Sequence, residues 1–181
     1  MILKINLPVG VTMEFSELIK KRFSARSYLP KEVEKEKLDK LLSMIAIAPS
    51  AGNLQAYKLS VITEKQKKEE LAYACMEQTF IADAPVVLVF LADLRASGKK
   101  YGDRGMRLFA IQDATIAATY AQLAATELGL ATVWIGTFET QEVMRLSNAG
   151  EYEVPVAVIP LGYTTEKPDK KTRKKLEQLV K

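Results

Sequence analysis

A helix that is apolar on most of its sides cannot sit on a surface, and residues 106–128 read as such a helix. Ala110, Ala114, Ala117, Ala118, Ala121, Ala124 and Ala125 recur among Ile111, Ile116, Leu123 and Leu128. Such a segment belongs in the middle of a domain or at an intimate helix–helix interface, where small residues let a neighbour come close. Gly129 stands where a C′ residue ends a helix. Gln112 and Asp113 are its polar exceptions, and an Asp near a buried helix start is more often structural than catalytic. The run Val86-Val87-Leu88-Val89-Phe90-Leu91 makes a matching demand. A strand without polar alternation is buried on both faces.

Shorter elements surround this centre. Phe15, Leu18 and Ile19 share one face of a helix over 14–22, and Leu38, Leu41, Leu42 and Ile45 one face of a helix over 34–48. Strands are expected at 58–62, at 130–138 ending near Gly136, and at 155–163. Thr63-Glu64-Lys65-Gln66 has the form of a capping box opening a helix to about Met76. A short helix is expected over 140–147. The Gly-rich polar stretch 93–105 is the candidate mobile loop or lid. The tail after Lys170 ends in a short amphipathic helix carrying Leu176, Leu179 and Val180. No repeat, linker or second domain interrupts residues 1–181, which are read as one domain.

Several functions are excluded by what the side chains lack. The 181 residues contain no histidine and one cysteine, Cys75. That removes Ser-His-Asp and Cys-His nucleophile pairs, the usual zinc sites and any internal disulfide, and no metal site is expected. No G-x-G occurs, so no dinucleotide fingerprint is present, and no G-x-x-x-x-G-K-[ST] Walker loop occurs. A bound organic cofactor is then the natural source of any demanding chemistry. Met1 to Ile5 lacks a signal-peptide core, no apolar run is long enough to cross a bilayer, and the single thiol fits a reducing, cytoplasmic setting. The net charge of +4, from 26 basic and 22 acidic residues, is compatible with a phosphate-bearing ligand and is weak evidence for nucleic acid.

Two stretches carry the donors such a ligand would need. In Arg22-Phe23-Ser24-Ala25-Arg26, an extended backbone alternates Arg22, Ser24 and Arg26 onto one side, a forked-donor set suited to phosphate or an electron-rich heterocycle. A solvated basic loop is the plainer account. In Ala48-Pro49-Ser50-Ala51-Gly52-Asn53-Leu54-Gln55, Pro49 stops the preceding helix and Gly52 permits a positive φ or a close approach. Ser50, Asn53 and Gln55 supply polar groups there, and the same residues also suit an ordinary helix–strand turn.

These two stretches, with Gly129-Leu130-Ala131-Thr132-Val133-Trp134-Ile135-Gly136 and Pro160-Leu161-Gly162-Tyr163 followed by Arg173, resemble in order and spacing the nitroreductase family of FMN-dependent oxidoreductases. The resemblance runs from about Glu14 to Arg173. It implies an α+β fold, a central mostly antiparallel sheet wrapped by helices, in an intertwined homodimer with FMN at the interface. Arg22, Phe23, Ser24 and Arg173, with Lys171, would hold the phosphate end. Arg26 would lie near the N1/O2 edge of the flavin. Pro49, Ser50, Asn53 and Gln55 would reach a flavin shared with the partner subunit, and the Ile135-Gly136 backbone would face its N5/O4 side. No side chain is expected to act as a catalytic acid, base or nucleophile, because the reactive atom is FMN N5. The long Ala-rich helix would then be the dimer seam. Gln55-Ala56-Tyr57 replaces the family's frequent Gln-Pro-Trp, and Gly136 stands where studied members carry an acidic residue.

The activity so implied is NAD(P)H-dependent reduction of nitroaromatic or quinone-like acceptors in a ping-pong cycle. The alternatives are an FMN enzyme of another branch with a dedicated substrate, a non-catalytic flavin-binding protein, and, ranked last, a basic nucleic-acid-binding domain. No nucleic acid or membrane partner is expected.

Overall fold

The computed structural model describes residues 13–169 and 171–181, so the reading of Met1–Asn6 and Lys170 of the basic run lie outside the described residues. In chain order the elements are α1 (Phe15–Lys21), α2 (Lys35–Ile45), β1 (Tyr57–Ile62), α3 (Lys65–Ala74), α4 (Phe80–Asp83), β2 (Val86–Asp93), α5 (Leu94–Arg104), α6 (Ala110–Glu127), β3 (Ala131–Thr132), α7 (Thr140–Leu146) and β4 (Glu153–Gly162). The strands form one sheet in the order β1-β2-β4-β3, antiparallel throughout.

The apolar run occupies β2, at the centre, and its alternation divides the core. Val87, Val89 and Leu91 face a layer with Leu71, Ile81 and Val143, which come from α3, α4 and α7. Val86, Leu88 and Phe90 face the opposite layer, with Leu41 and Ile45 of α2 and the alanines of α6. Both faces are dry, which is why the strand needed no polar alternation. Opposite Phe90 and Leu91 the register of β4 slips by one residue. Val156 is the extra residue of that bulge, beside Pro155, which has no N–H to give the ladder.

The alanines of α6 belong to this interior. Ala117, Ala118, Ala121, Ala124 and Ala125 are buried against α2 and the sheet, and Ala110 and Ala114 against Ala56 and Ala92. They let the helix lie close to its own chain's sheet, so they are not free to be a seam with another copy. The helix ends as expected: Gly129 has φ +72°, its N–H reaches Thr126 and that of Leu130 reaches Ala125, a Schellman closure.

Four local expectations are corrected. Residues 94–104 are helical, because the Asp93 side chain accepts the Ala96 N–H at 2.8 Å and starts α5. The glycines act inside that helix and after it: Gly102, at φ +58°, kinks its last turn, and Gly105 lies against the Ser97 carbonyl. The Thr63 capping box does not form, since α3 begins one residue later, after Glu64, without a side-chain cap. The strand expected over 130–138 shrinks to Ala131–Thr132 plus an isolated bridge from Ile135 to Val158. The tail carries only a 3₁₀ turn, Leu176–Gln178, and its apolar side chains are exposed.

Candidate functional site

The Arg22–Arg26 stretch is placed by backbone pairing. Once α1 ends at Lys21, the chain turns extended, Ser24 bridges Thr132 in parallel fashion, and the Ala25 N–H reaches the Thr132 carbonyl at 3.1 Å. Ala25 is fully buried, so its neighbours on the strand are turned outward. Arg22, Phe23 and Ser24 line one wall of an open groove of about 540 Å³ whose other wall includes Lys171 and Arg173. Residues some 150 positions apart thus meet at one place. Lys20 and Lys167 add positive charge, against the carboxylates of Glu166 and Asp169. Five cations face two anions; Lys20 is paired with Glu17 at 2.9 Å, and both anions are partly committed. Asp169 accepts from Lys171 at 3.1 Å, and Glu166 accepts the Arg26 backbone N–H at 2.7 Å. The donor set of two guanidiniums, three ammoniums and a hydroxyl suits a phosphate monoester.

Arg26 does not share this wall. Its backbone is tied to Glu166 and its side chain is not among the groove's lining. Burial raises the Tyr28 phenol's pKa, with the Glu166 carboxylate adding to the rise and Arg26 opposing it. Glu166, which carried no signal in the sequence, ties the tail to this strand through the Arg26 N–H.

The turn after α2 is a separate place. Its polar groups are largely spent on holding its own shape. Ser50 Oγ accepts the Gln55 N–H at 2.8 Å, and the Gln55 amide donates to the Asn53 carbonyl at 2.6 Å. Gly52, Asn53 and Gln55 all lie at positive φ, an unfavourable run that persists only where surroundings enforce it. One enforcing contact comes from α6: buried Asp113 accepts the Ala51 N–H through Oδ1 at 2.8 Å, while its Oδ2 is buried without a partner among the described residues. Asp113 is structural, as its position in an apolar helix implied. The other contact comes from α5. A Cβ on Gly52 would meet the Tyr101 hydroxyl and lie 2.6 Å from Lys100 Nζ, so a larger residue would push these side-chain ends off the turn. Pro49 precedes it, and the Tyr57 hydroxyl ties its far end to the Ile45 carbonyl at 3.2 Å.

Ile135 and Gly136 lie beyond β3. The Ile135 side chain is buried and its N–H is spent on the Val158 carbonyl at 3.0 Å. Gly136 is the exposed backbone position that follows. Neither residue, and none of the 49–55 turn, lines the basic groove. Cys75 is buried and its thiol is pushed up to about 12 by burial, which leaves an inert core residue.

The nitroreductase family model matches residues 19–80 and 72–163, which span both stretches and the whole sheet. The chain belongs to the nitroreductase family. A Methanothermobacter thermautotrophicus protein provisionally named NADH dehydrogenase/NAD(P)H nitroreductase is 32% identical over 86% of this chain and 80% of its own length. A Bacillus subtilis FMN reductase (NAD(P)H) is 31% identical over 83% of this chain and 66% of its own. Among solved structures, a nitroreductase family protein from Clostridium difficile superimposes with a TM-score of 0.81 at 35% identity, covering 93% of this chain and 98% of that one. The sheet order and the helical layers described above are therefore this family's fold. Among the described residues no helix is long and apolar enough to cross a membrane.

Proposed function

We propose that this chain is an NAD(P)H-dependent FMN oxidoreductase acting on nitroaromatic or quinone-like electron acceptors in a ping-pong cycle. The observation that carries the reading is the convergence of Arg22 and Ser24 with Lys171 and Arg173 in one groove with excess positive charge. Its donors fit the phosphate of FMN, the flavin that appears in the name of the Bacillus subtilis relative, an FMN reductase. When bound, FMN would supply hydride acceptance at N5 and electron delivery, which amino-acid side chains do not offer.

The residues then divide the work. Arg22, Ser24, Arg173 and Lys171 hold the phosphate through charge-assisted hydrogen bonds, and Phe23 walls the groove. Arg26 supplies positive charge where the ring gains negative charge. Gly136, the exposed amide after committed Ile135, is the backbone donor of that segment. Pro49, Ser50, Asn53 and Gln55 present a rigid polar edge. Because that edge and the groove are lined by different residues within one chain, the reading includes a homodimer in which the turn serves the partner subunit's groove. The exposed apolar surface supports this. Phe15 and Ile19 of α1, next to the groove, are 65% and 49% exposed, and Leu176 of the tail is 70% exposed. The exposed side of α6, bordered by Ile111 at one margin and Tyr120 at the other, takes the place of its alanines as the candidate seam. A single domain in the cytoplasm completes the proposal, the buried lone thiol being consistent with it.

The test is the visible spectrum of the protein after FMN reconstitution and desalting, followed by anaerobic NADH or NADPH. Retained flavin absorbance that bleaches with the nucleotide is expected. Flavin that passes through the column unbound would remove the basis of the proposal.

A further inference from the structure

Two cations and two rings stand together beside the turn, and the reading above gives them no task. Lys100 Nζ and the Tyr101 hydroxyl occupy the space over Gly52. Lys100 Nζ also lies 5.3 Å from the Tyr101 ring centre. The Tyr101 and Phe109 rings meet edge to face, centres 5.1 Å apart, and the Arg104 guanidinium covers the Phe109 ring at 5.5 Å. Gly102, between Tyr101 and Arg104, breaks the helical φ/ψ of the segment that carries them. Lys100 and Arg104 are exposed, and neither pairs with a carboxylate among the described residues. The nearest acid in sequence, Asp103, is taken by Arg107 at 2.6 Å.

Cations that pair with no carboxylate select phosphate, and the rings beneath them hold them in place. We infer that Lys100 and Arg104, framed by Tyr101 and Phe109, recognise the 2′-phosphate of NADPH at the adenosine end and so set a preference for NADPH over NADH. The inference rests on the reading in which the Ser50–Gln55 turn borders the flavin, since that places this cluster at the edge of the nucleotide's path. The cluster belongs to the subunit that supplies the turn. Arg95, the cation at the other end of α5, lies over Tyr152 at 5.6 Å, away from Gly52, and has no part in the recognition.

The flavin-loaded protein is compared with its Lys100→Gln/Arg104→Gln variant in two ways. Calorimetric titration with adenosine 2′,5′-bisphosphate and with AMP reads the phosphate directly. In the native protein the bisphosphate is expected to bind about tenfold more tightly, and the variant loses that margin. In steady state, the ratio of kcat/KM for NADPH to that for NADH falls by about tenfold in the variant, and the native ratio declines with added salt. Arg95→Gln leaves both margins in place. Equal binding of the two adenosine nucleotides by the native protein, an unmoved ratio in the variant, or an equal loss in Arg95→Gln would overturn the assignment. Flavin absorbance separates the two levels. A protein that holds flavin and ignores the 2′-phosphate refutes only this inference, whereas one that holds no flavin refutes the function beneath it.

Discussion

The basic groove and the Ser50–Gln55 turn are built in opposite ways. The groove's positive side chains outnumber the acids around them, and it is assembled from two stretches far apart in the chain. The turn's polar groups are already hydrogen-bonded to one another, to Asp113 of α6 and beneath Lys100 and Tyr101 of α5. A site with unspent charge contributes affinity, and a site whose hydrogen bonds are internal contributes shape. In the proposed function the groove anchors the cofactor and the turn orients it.

The contrast breaks most easily at the groove. Arg22→Ala and Arg173→Ala are each expected to weaken FMN binding by about tenfold or more at low ionic strength, with little change in Tm. Flavin fluorescence titration and thermal melts check both halves, and a large loss of Tm with unchanged affinity would make these arginines structural. The turn should answer in the reverse order. Asp113→Ala strands the Ala51 N–H beside a new void and costs about 1–3 kcal/mol of stability, seen as a lower Tm, with a smaller effect on FMN affinity than Arg22→Ala. Gly52→Ala meets both a positive φ and the displaced Tyr101 hydroxyl. About 1–2 kcal/mol is expected, along with faster proteolysis near the 100–105 kink.

The smallest expected effect lies outside both sites. Glu34 is held down to about 2, first by the hydrogen bond from the Tyr163 hydroxyl, then by its own backbone N–H and by Lys31. A depressed carboxyl stabilises the fold above its ordinary value of 4.5 and loses that contribution as pH falls toward 2. Tyr163→Phe should lower Tm slightly near neutrality. The gap from the native protein should close as pH drops from 4.5 to 2, and a gap that stays constant would separate Glu34 from this effect.

Much of the fold was legible because it follows from burial. A strand with no polar alternation had to be central, and a helix carpeted with alanine had to lie against something flat. What the alanines packed against was not legible, since small residues suit a neighbouring sheet and a neighbouring subunit equally. The 93–105 stretch misled for a related reason. Its glycines suggest a loop, and only the Asp93 cap and the close packing of Gly98 and Gly105 make it a helix. In the groove, Arg22 and Ser24 stood out through their alternation along an extended stretch and Arg173 only through the family resemblance, while Glu166 and Lys167 carried no pattern of their own. Asp113 was visible as a lone acid on an apolar helix, but its partner, the Ala51 N–H, was not, because a backbone donor leaves no mark in sequence.

The most direct measurement compares the dissociation constants of FMN and riboflavin, which differ only by the phosphate the groove is assigned to hold. The native protein should bind FMN at least about tenfold more tightly, with the difference collapsing in Arg22→Ala and shrinking with salt. Equal affinity for the two flavins in the native protein would contradict the account of the groove.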